Sequence, residues 1–291
     1  MRLLRSTTAE TVGLEEHNML VRILSAVLLL PLLLVVLLAL PPVCTALLIA
    51  AMSSIAAYEL LWGTCVLKKV RPIVYSMVMA FIVVLWSYFG QPVIYITPII
   101  LVFAILLLAE LMADHENLTF QTLCVCLAAG LVIPYMFSAL VRLRMETDGK
   151  ILVLIPFLLS FVSDSGAYFV GISLGKHKLA PKISPKKTVE GLIGGVLTAM
   201  LGMIVFCLVL SKFFNFSVNY FAAAAFGAVG SLVSVFGDLS FSVIKRQTGI
   251  KDYSKLIPGH GGILDRFDST IFVAPMVEMF MDLWPAMVSM L

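Results

Sequence analysis

Four short stretches of this chain carry side chains whose types and spacing suit phosphate chemistry. The first is VFGDLSFSVIKR, residues 235–246. On a helix, Asp238, Ser242 and Lys245 fall at i, i+4 and i+7 and share one face. Carboxylate and hydroxyl oxygens are hard ligands of the kind Mg²⁺ takes, and an ammonium beside them can neutralise phosphate oxygens. The plainer alternative has Lys245 and Arg246 snorkelling to an interface, which leaves Asp238 unexplained. The second is KDYSKLIPGHGGILDRFDS, residues 251–269. Here Gly259, Gly261 and Gly262 surround His260, so the backbone can turn tightly and offer N–H groups to an anion. Lys251 and Asp252 precede the turn, and Asp265, Arg266 and Asp268 follow it within about one helical turn.

The third stretch, GKHKLAPKISPKKTVEGLIGG, spans residues 175–195. A basic loop can simply be drawn to anionic headgroups, at about 1 kcal/mol per cation. That does not account for Pro181 and Pro185, nor for Lys186, Lys187 and Glu190 just before a glycine-rich helix start. A helix N-terminus beside lysines is a natural anion site. The fourth is FVSDSGAYFVG, residues 161–171, where Asp164 sits deep in an apolar run. An ionisable group at membrane depth is a functional candidate by default, although a carboxylate that pairs helices together is the competing reading. Together the four stretches supply carboxylates for a divalent metal, lysines for phosphates and flexible backbone donors. That set suits phosphoryl or nucleotidyl transfer, in which positioning and charge neutralisation dominate. No Walker A sequence is present, and no convincing Ser-His-Asp arrangement appears.

The elements that must hold these residues are written in the composition. Of 291 residues, 61% are hydrophobic and 13% charged, against roughly a quarter charged in soluble domains. Apolar runs near 20–40, 43–62, 73–90, 93–112, 119–140, 151–174, 190–211, 217–244 and 270–290 approach or exceed the roughly 20 residues that cross a bilayer. They predict an all-α integral membrane protein of about nine transmembrane helices. With the N-terminus cytoplasmic, alternation places sixteen of the twenty Lys and Arg residues inside and four (Arg142, Arg144, Lys150, Lys212) outside, a strong positive-inside bias. All four stretches then fall in the cytoplasmic half, where a polar cavity is expected. Residues 1–18 read as a polar leader and 19–291 as one membrane domain. Gly191 and Gly195, like Ala223, Gly227 and Ser231, are spaced four apart and predict close helix packing. The five cysteines lie in or beside apolar runs, which argues against a disulfide framework. Glu59 and Glu110 read as markers of the interface, and Glu278 and Asp282 as residues that line a cavity or pair with another helix. Nothing points to nucleic acid.

The run Ser242, Ile244-Lys245-Arg246, Lys251-Asp252, Ser254 and Ile257-Pro258-Gly259-His260-Gly261-Gly262-Ile263, then Asp265-Arg266-Phe267-Asp268, resembles the signature of phosphatidate cytidylyltransferases of the bacterial type. The DSGAYFVG and SPKKTVEG blocks resemble that family too, so the likeness covers about residues 160–270. It implies joining of CTP and phosphatidic acid into CDP-diacylglycerol and pyrophosphate with Mg²⁺, and possible use of a second cation. It implies metal binding by Asp238 and Asp265 beside Ser242 and Lys245. Lys186, Lys187, Lys251, His260 and Arg266 would handle phosphates, with Asp164 joining the acidic cluster. It further implies a homodimer in a bacterial inner membrane, with the site facing the cytoplasm. Two rivals differ in what they require. A CTP-dependent lipid-alcohol kinase needs a base for a hydroxyl nucleophile. A cation-coupled transporter using Asp164, Asp238 and Glu278 calls for repeated halves, and none is visible.

Overall fold

The computed structural model describes residue 25 and residues 27–289. The chain is mostly helical. In order, the helices are α1 (Val27–Leu38), α2 (Pro42–Gly63), α3 (Val70–Phe89), α4 (Val93–Ala113), α5 (Phe120–Met145), α6 (Gly149–Leu174), α7 (Val189–Phe213), α8 (Tyr220–Gln247) and α9 (Ile263–Leu283). Among the described residues, helices α2 to α8, seven in all, are long and apolar enough to cross a membrane, so the chain is built as an integral membrane protein. Helix α1 is shorter, and α9 carries Asp265, Arg266, Asp268, Glu278 and Asp282. The leader lies outside the described residues.

Local chemistry sets many of the helix boundaries. Thr119, Thr188 and Asn219 cap α5, α7 and α8, each side-chain oxygen accepting from the N–H three residues on, which satisfies an otherwise orphaned donor. Helices α2 and α5 are not uniform. Each contains a π turn, at Glu59–Gly63 and at Ala128–Val132, the second running into Pro134. At two places the apolar pattern misplaces an end. The final run ends at Leu283, because Pro285 cannot continue it. The same helix begins seven residues earlier than its apolar stretch, at Ile263, because carboxylates satisfy its first amides.

Two small antiparallel ribbons accompany the helices. Strands β1 (Lys178–Ala180) and β2 (Ser184–Thr188) turn the lysine loop into a hairpin, with Lys178 opposite Thr188. Strands β3 (Phe216–Val218) and β4 (Met287–Ser289) join the α7–α8 connection to the chain after α9.

The packed interior falls into two apolar clusters. One is formed chiefly by α2, α3, α5 and α9, the other by α6, α7, α8 and α9. Helix α9 is their shared wall: Leu264, Ile271 and Ala274 belong to the first, Val273, Met276 and Val277 to the second. Near its start, the Phe267 ring meets Phe137 of α5 at 5.6 Å and Phe157 of α6 at 6.3 Å. The small-residue faces do pack closely. A Cβ on Gly195 would come within 2.9 Å of the Ser163 carbonyl, and one on Gly227 within 2.4 Å of the Met200 backbone. The Ser163 and Ser231 hydroxyls meet at 2.6 Å in the same seam.

Candidate active site

The chain reverses at each connection, so the ends of α2 and α8, the starts of α7 and α9 and the β1–β2 hairpin meet at one end of the bundle. The α8 stripe is as its spacing requires. The Ser242 hydroxyl donates to Asp238 Oδ1 at 3.2 Å one turn away. Asp238 Oδ2 is ion-paired with Lys187 from the hairpin. One turn beyond Ser242, the Lys245 ammonium donates to Asp265 Oδ1 at 2.9 Å, and both side chains are buried. It also stands 5.5 Å from the centre of the Tyr253 ring.

Asp265 does more than answer Lys245. Its Oδ2 accepts from the Tyr253 N–H at 2.8 Å and the Gly262 N–H at 2.9 Å, closing the neck of the 253–262 loop and capping α9. Inside the loop, the Ile257 N–H donates to the Gly261 carbonyl at 2.8 Å. Gly259 and Gly261 have φ of 74° and 86°, a left-handed conformation that costs little without a Cβ. Burial pushes the Tyr253 phenol well above its usual pKa, so it stays a neutral donor, to the Phe241 carbonyl at 3.0 Å. His260 Nδ1 lies 2.8 Å from the Ser25 hydroxyl.

Beside this loop opens a cavity of about 690 Å³. Its lining includes Lys251, Asp252, Lys255, His260, Gly261 and Arg266, so on its wall three cationic side chains face one carboxylate. The carboxylate cluster lies across the first turn of α9. Asp164, on the exposed face of α6, feels the charges of Lys187 and Asp238. Asp268, buried on α9, feels those of Asp238, Lys245 and Asp164. Residues from α6, the hairpin, α8 and α9 thus share one electrostatic neighbourhood.

The remaining predicted residues take other positions. Glu190 clamps the start of the hairpin: it meets His177 Nδ1 at 2.6 Å and accepts from the Lys176 and His177 amides. Arg246 donates through Nε to the Ile183 carbonyl at 3.2 Å and so ties α8 to the hairpin turn. Lys186 is exposed. Gly262 is the N-cap of α9, packed against a carboxylate that sequence reasoning set aside as an interface marker. That carboxylate is Glu59, 1% exposed; its Oε1 accepts from the Ser254 hydroxyl and the Ile263 N–H, and its Oε2 from the Leu264 N–H.

Among the described residues, no three His, Cys, Asp or Glu side chains stand close enough to close on one metal ion. The donor chemistry still fits Mg²⁺, which takes one or two carboxylates and completes its shell with phosphate oxygens and water. Asp238 Oδ2 and Asp265 Oδ1 are hard oxygens, each paired with a lysine.

The fold is a bundle of apolar helices, seven of the described ones long enough to cross a membrane, and one end of it pairs acids with lysines near a cavity lined by Lys251, Lys255 and Arg266. The chain belongs to the cytidylyltransferase family, whose sequence model matches residues 20–284. It is similar to the phosphatidate cytidylyltransferase of Haemophilus influenzae, 41% identical over 159 residues that cover 53% of this chain and 55% of that protein. The Staphylococcus haemolyticus phosphatidate cytidylyltransferase is 36% identical over 176 residues, 60% of this chain and 65% of the relative. A Staphylococcus aureus protein of the same name is 39% identical over 158 residues, covering 54% and 58%. The match thus spans between half and two thirds of these relatives' length.

Proposed function

We propose that this protein is a phosphatidate cytidylyltransferase, which makes CDP-diacylglycerol and pyrophosphate from CTP and phosphatidic acid at the membrane surface. The observation that carries the reading is the pair of ion pairs, Lys187–Asp238 and Lys245–Asp265, at the end of the bundle where Arg266, next to Asp265, lines the cavity. The triphosphate occupies the cavity, held by Lys251, His260 and Arg266. The turn's own amides do not take part, since His260 and Gly261 donate to the Ile257 carbonyl and Gly262 to Asp265. The lipid phosphate reaches the cluster from the side of Asp164, with Lys186 and Lys187 drawing it in. Phosphate oxygens compete for Lys187 and Lys245 and leave Asp238 and Asp265 free to face a cation.

In the reaction, a phosphatidate oxygen attacks the α-phosphorus of CTP in line. The new P–O bond forms as the bond from the α-phosphorus to its bridging oxygen breaks, and pyrophosphate leaves with that electron pair. The nucleophile arrives ionised, so no general base is required, in keeping with a site of lysines and metal-type carboxylates. Asp238 and Asp265, with Asp268 alongside, would hold Mg²⁺, which when bound would supply charge neutralisation at the leaving group. A second cation, a homodimer and a bacterial inner membrane with the site facing the cytoplasm complete the proposal. The excess of Lys and Arg at the connections on the site's end supports that orientation.

The test uses purified protein in detergent micelles with phosphatidic acid and CTP labelled at the α-phosphate. Label is expected to enter the lipid phase with Mg²⁺, to stop on addition of EDTA, and to fall at least about a hundredfold in Asp265→Asn, the size seen when a transition-state charge partner is lost. Label that stays in the aqueous phase under every condition refutes the reading; transfer from the γ-position to a lipid alcohol would replace it with a kinase.

A further inference from the structure

We infer that Glu59 is a positioning residue for the nucleotide end of the site, reaching it from the half of the chain that lacks the signature. The inference rests on the cytidylyltransferase reading for its kinetic consequence and on geometry for its placement. Glu59 opens the π turn at the end of α2, a local irregularity often found at functional sites. A buried carboxylate is costly unless its oxygens are well occupied, and among the described residues no lysine or arginine pairs with this one. The Ile263 and Leu264 amides at the positive end of the 21-residue α9 stand in for a cation, at 3.0 and 2.9 Å. The Ser254 hydroxyl donates from the loop at 2.6 Å.

The fit leaves no slack. A Cβ on Gly262 would come within 2.5 Å of Glu59 Oε1, and one on Gly63 within 2.3 Å of the Tyr253 carbonyl. Glu59 therefore grips both strands of the loop's neck, and Asp265 grips them from the other side through the Tyr253 and Gly262 amides. Between the two carboxylates the neck is fixed, and the loop carries Lys255 and His260 to the cavity wall. Asp265 and Arg266 lie on the turn that Glu59 caps. Any tilt of that turn moves Asp265 away from Lys245 and Arg266 away from the cavity together.

The experiment compares the whole protein with Glu59→Gln and Ser254→Ala in detergent micelles. Hydrogen exchange is followed in peptides covering residues 253–264, and initial rates are measured against CTP. A glutamine presents an NH₂ group to one of the two helix amides, so loss of a charge-assisted hydrogen bond is the expected defect. In Glu59→Gln, exchange in this segment should quicken and KM for CTP should rise by about tenfold. Exchange in α7 should stay at its wild-type value and kcat within about threefold. Ser254→Ala should shift both readouts the same way by about twofold to threefold. Unchanged local exchange and unchanged KM overturn the inference. So does faster exchange throughout the protein with lower kcat and unchanged KM, which is the signature of a fold defect. If Glu59→Gln fails to fold, Ser254→Ala decides alone. If the wild-type protein moves no cytidylyl label, the reading of the reaction fails, while local exchange still decides what Glu59 holds.

Discussion

The two ends of the bundle both bury charge, and they do so with different cations. At the signature end, lysines face carboxylates: Lys187 on Asp238 and Lys245 on Asp265. At the opposite end, arginines do the work. Arg142 grips Glu278 through Nε and a terminal nitrogen at 2.5 and 2.8 Å, donates to the Ser138 hydroxyl at 2.6 Å and lies over the Tyr135 ring. Arg144, which unlike the half-buried Arg142 is buried, donates to the Leu37 and Leu40 carbonyls and so ties down the end of α1. A guanidinium is a rigid fork that fixes two partners at once, whereas an ammonium is a mobile point charge that can change partners. The contrast teaches that charge buried in a membrane bundle is not one kind of thing. Fork-shaped pairs lock helices, and on the proposed function the single-point lysine pairs are the ones that substrate phosphates would exchange.

Substitutions can break this division or sharpen it. Lys245→Ala should have the largest effect, lowering cytidylyl transfer by about a hundredfold or more, because it strips the buried partner from Asp265 and removes a cation from the reacting phosphates. Label transfer at saturating CTP reads this out, and a variant within threefold of wild type would mean that the pair is structural like its counterpart at the other end. Next in size, Glu278→Gln should leave transfer per folded molecule nearly unchanged while destabilising the fold by about 2 kcal/mol, since it leaves Arg142 without its charged partner in a partly buried setting. The thermal midpoint in detergent should fall by several degrees. Loss of transfer without loss of stability would contradict the division. Lys186→Ala should have the smallest effect, about a twofold rise in KM for phosphatidic acid with kcat retained, because its side chain is exposed and its field is screened.

Much of the local geometry at this end was legible beforehand because its residues lie within one turn or one loop of each other. The turn's amides, expected to face an anion, instead bond within the loop and to Asp265. The Asp238, Ser242 and Lys245 stripe follows from helical periodicity, and the turn at Gly259 and Gly261 from the conformational freedom of glycine. Glu190 and Arg246 were legible as charges at the right end of the chain, but their partners proved to be the hairpin backbone. No local pattern signals that a proline-bearing basic loop will fold as a ribbon. Glu59 was the residue most completely hidden. It ends an apolar run, where a carboxylate ordinarily meets water, and its partners lie 195 to 205 residues further along the chain.

By itself, then, the sequence determined the membrane-spanning character, the approximate helix positions and the concentration of charged residues toward one end. Hydropathy and helical periodicity are local properties, and a bilayer enforces them segment by segment. Tertiary structure alone decided which charges meet. Packing α9 between the two apolar clusters brings Glu59 to its first amides, Lys245 to Asp265 and Arg142 to Glu278. Pairing across helices depends on how the helices are arranged and rotated, which the period of any single helix does not specify.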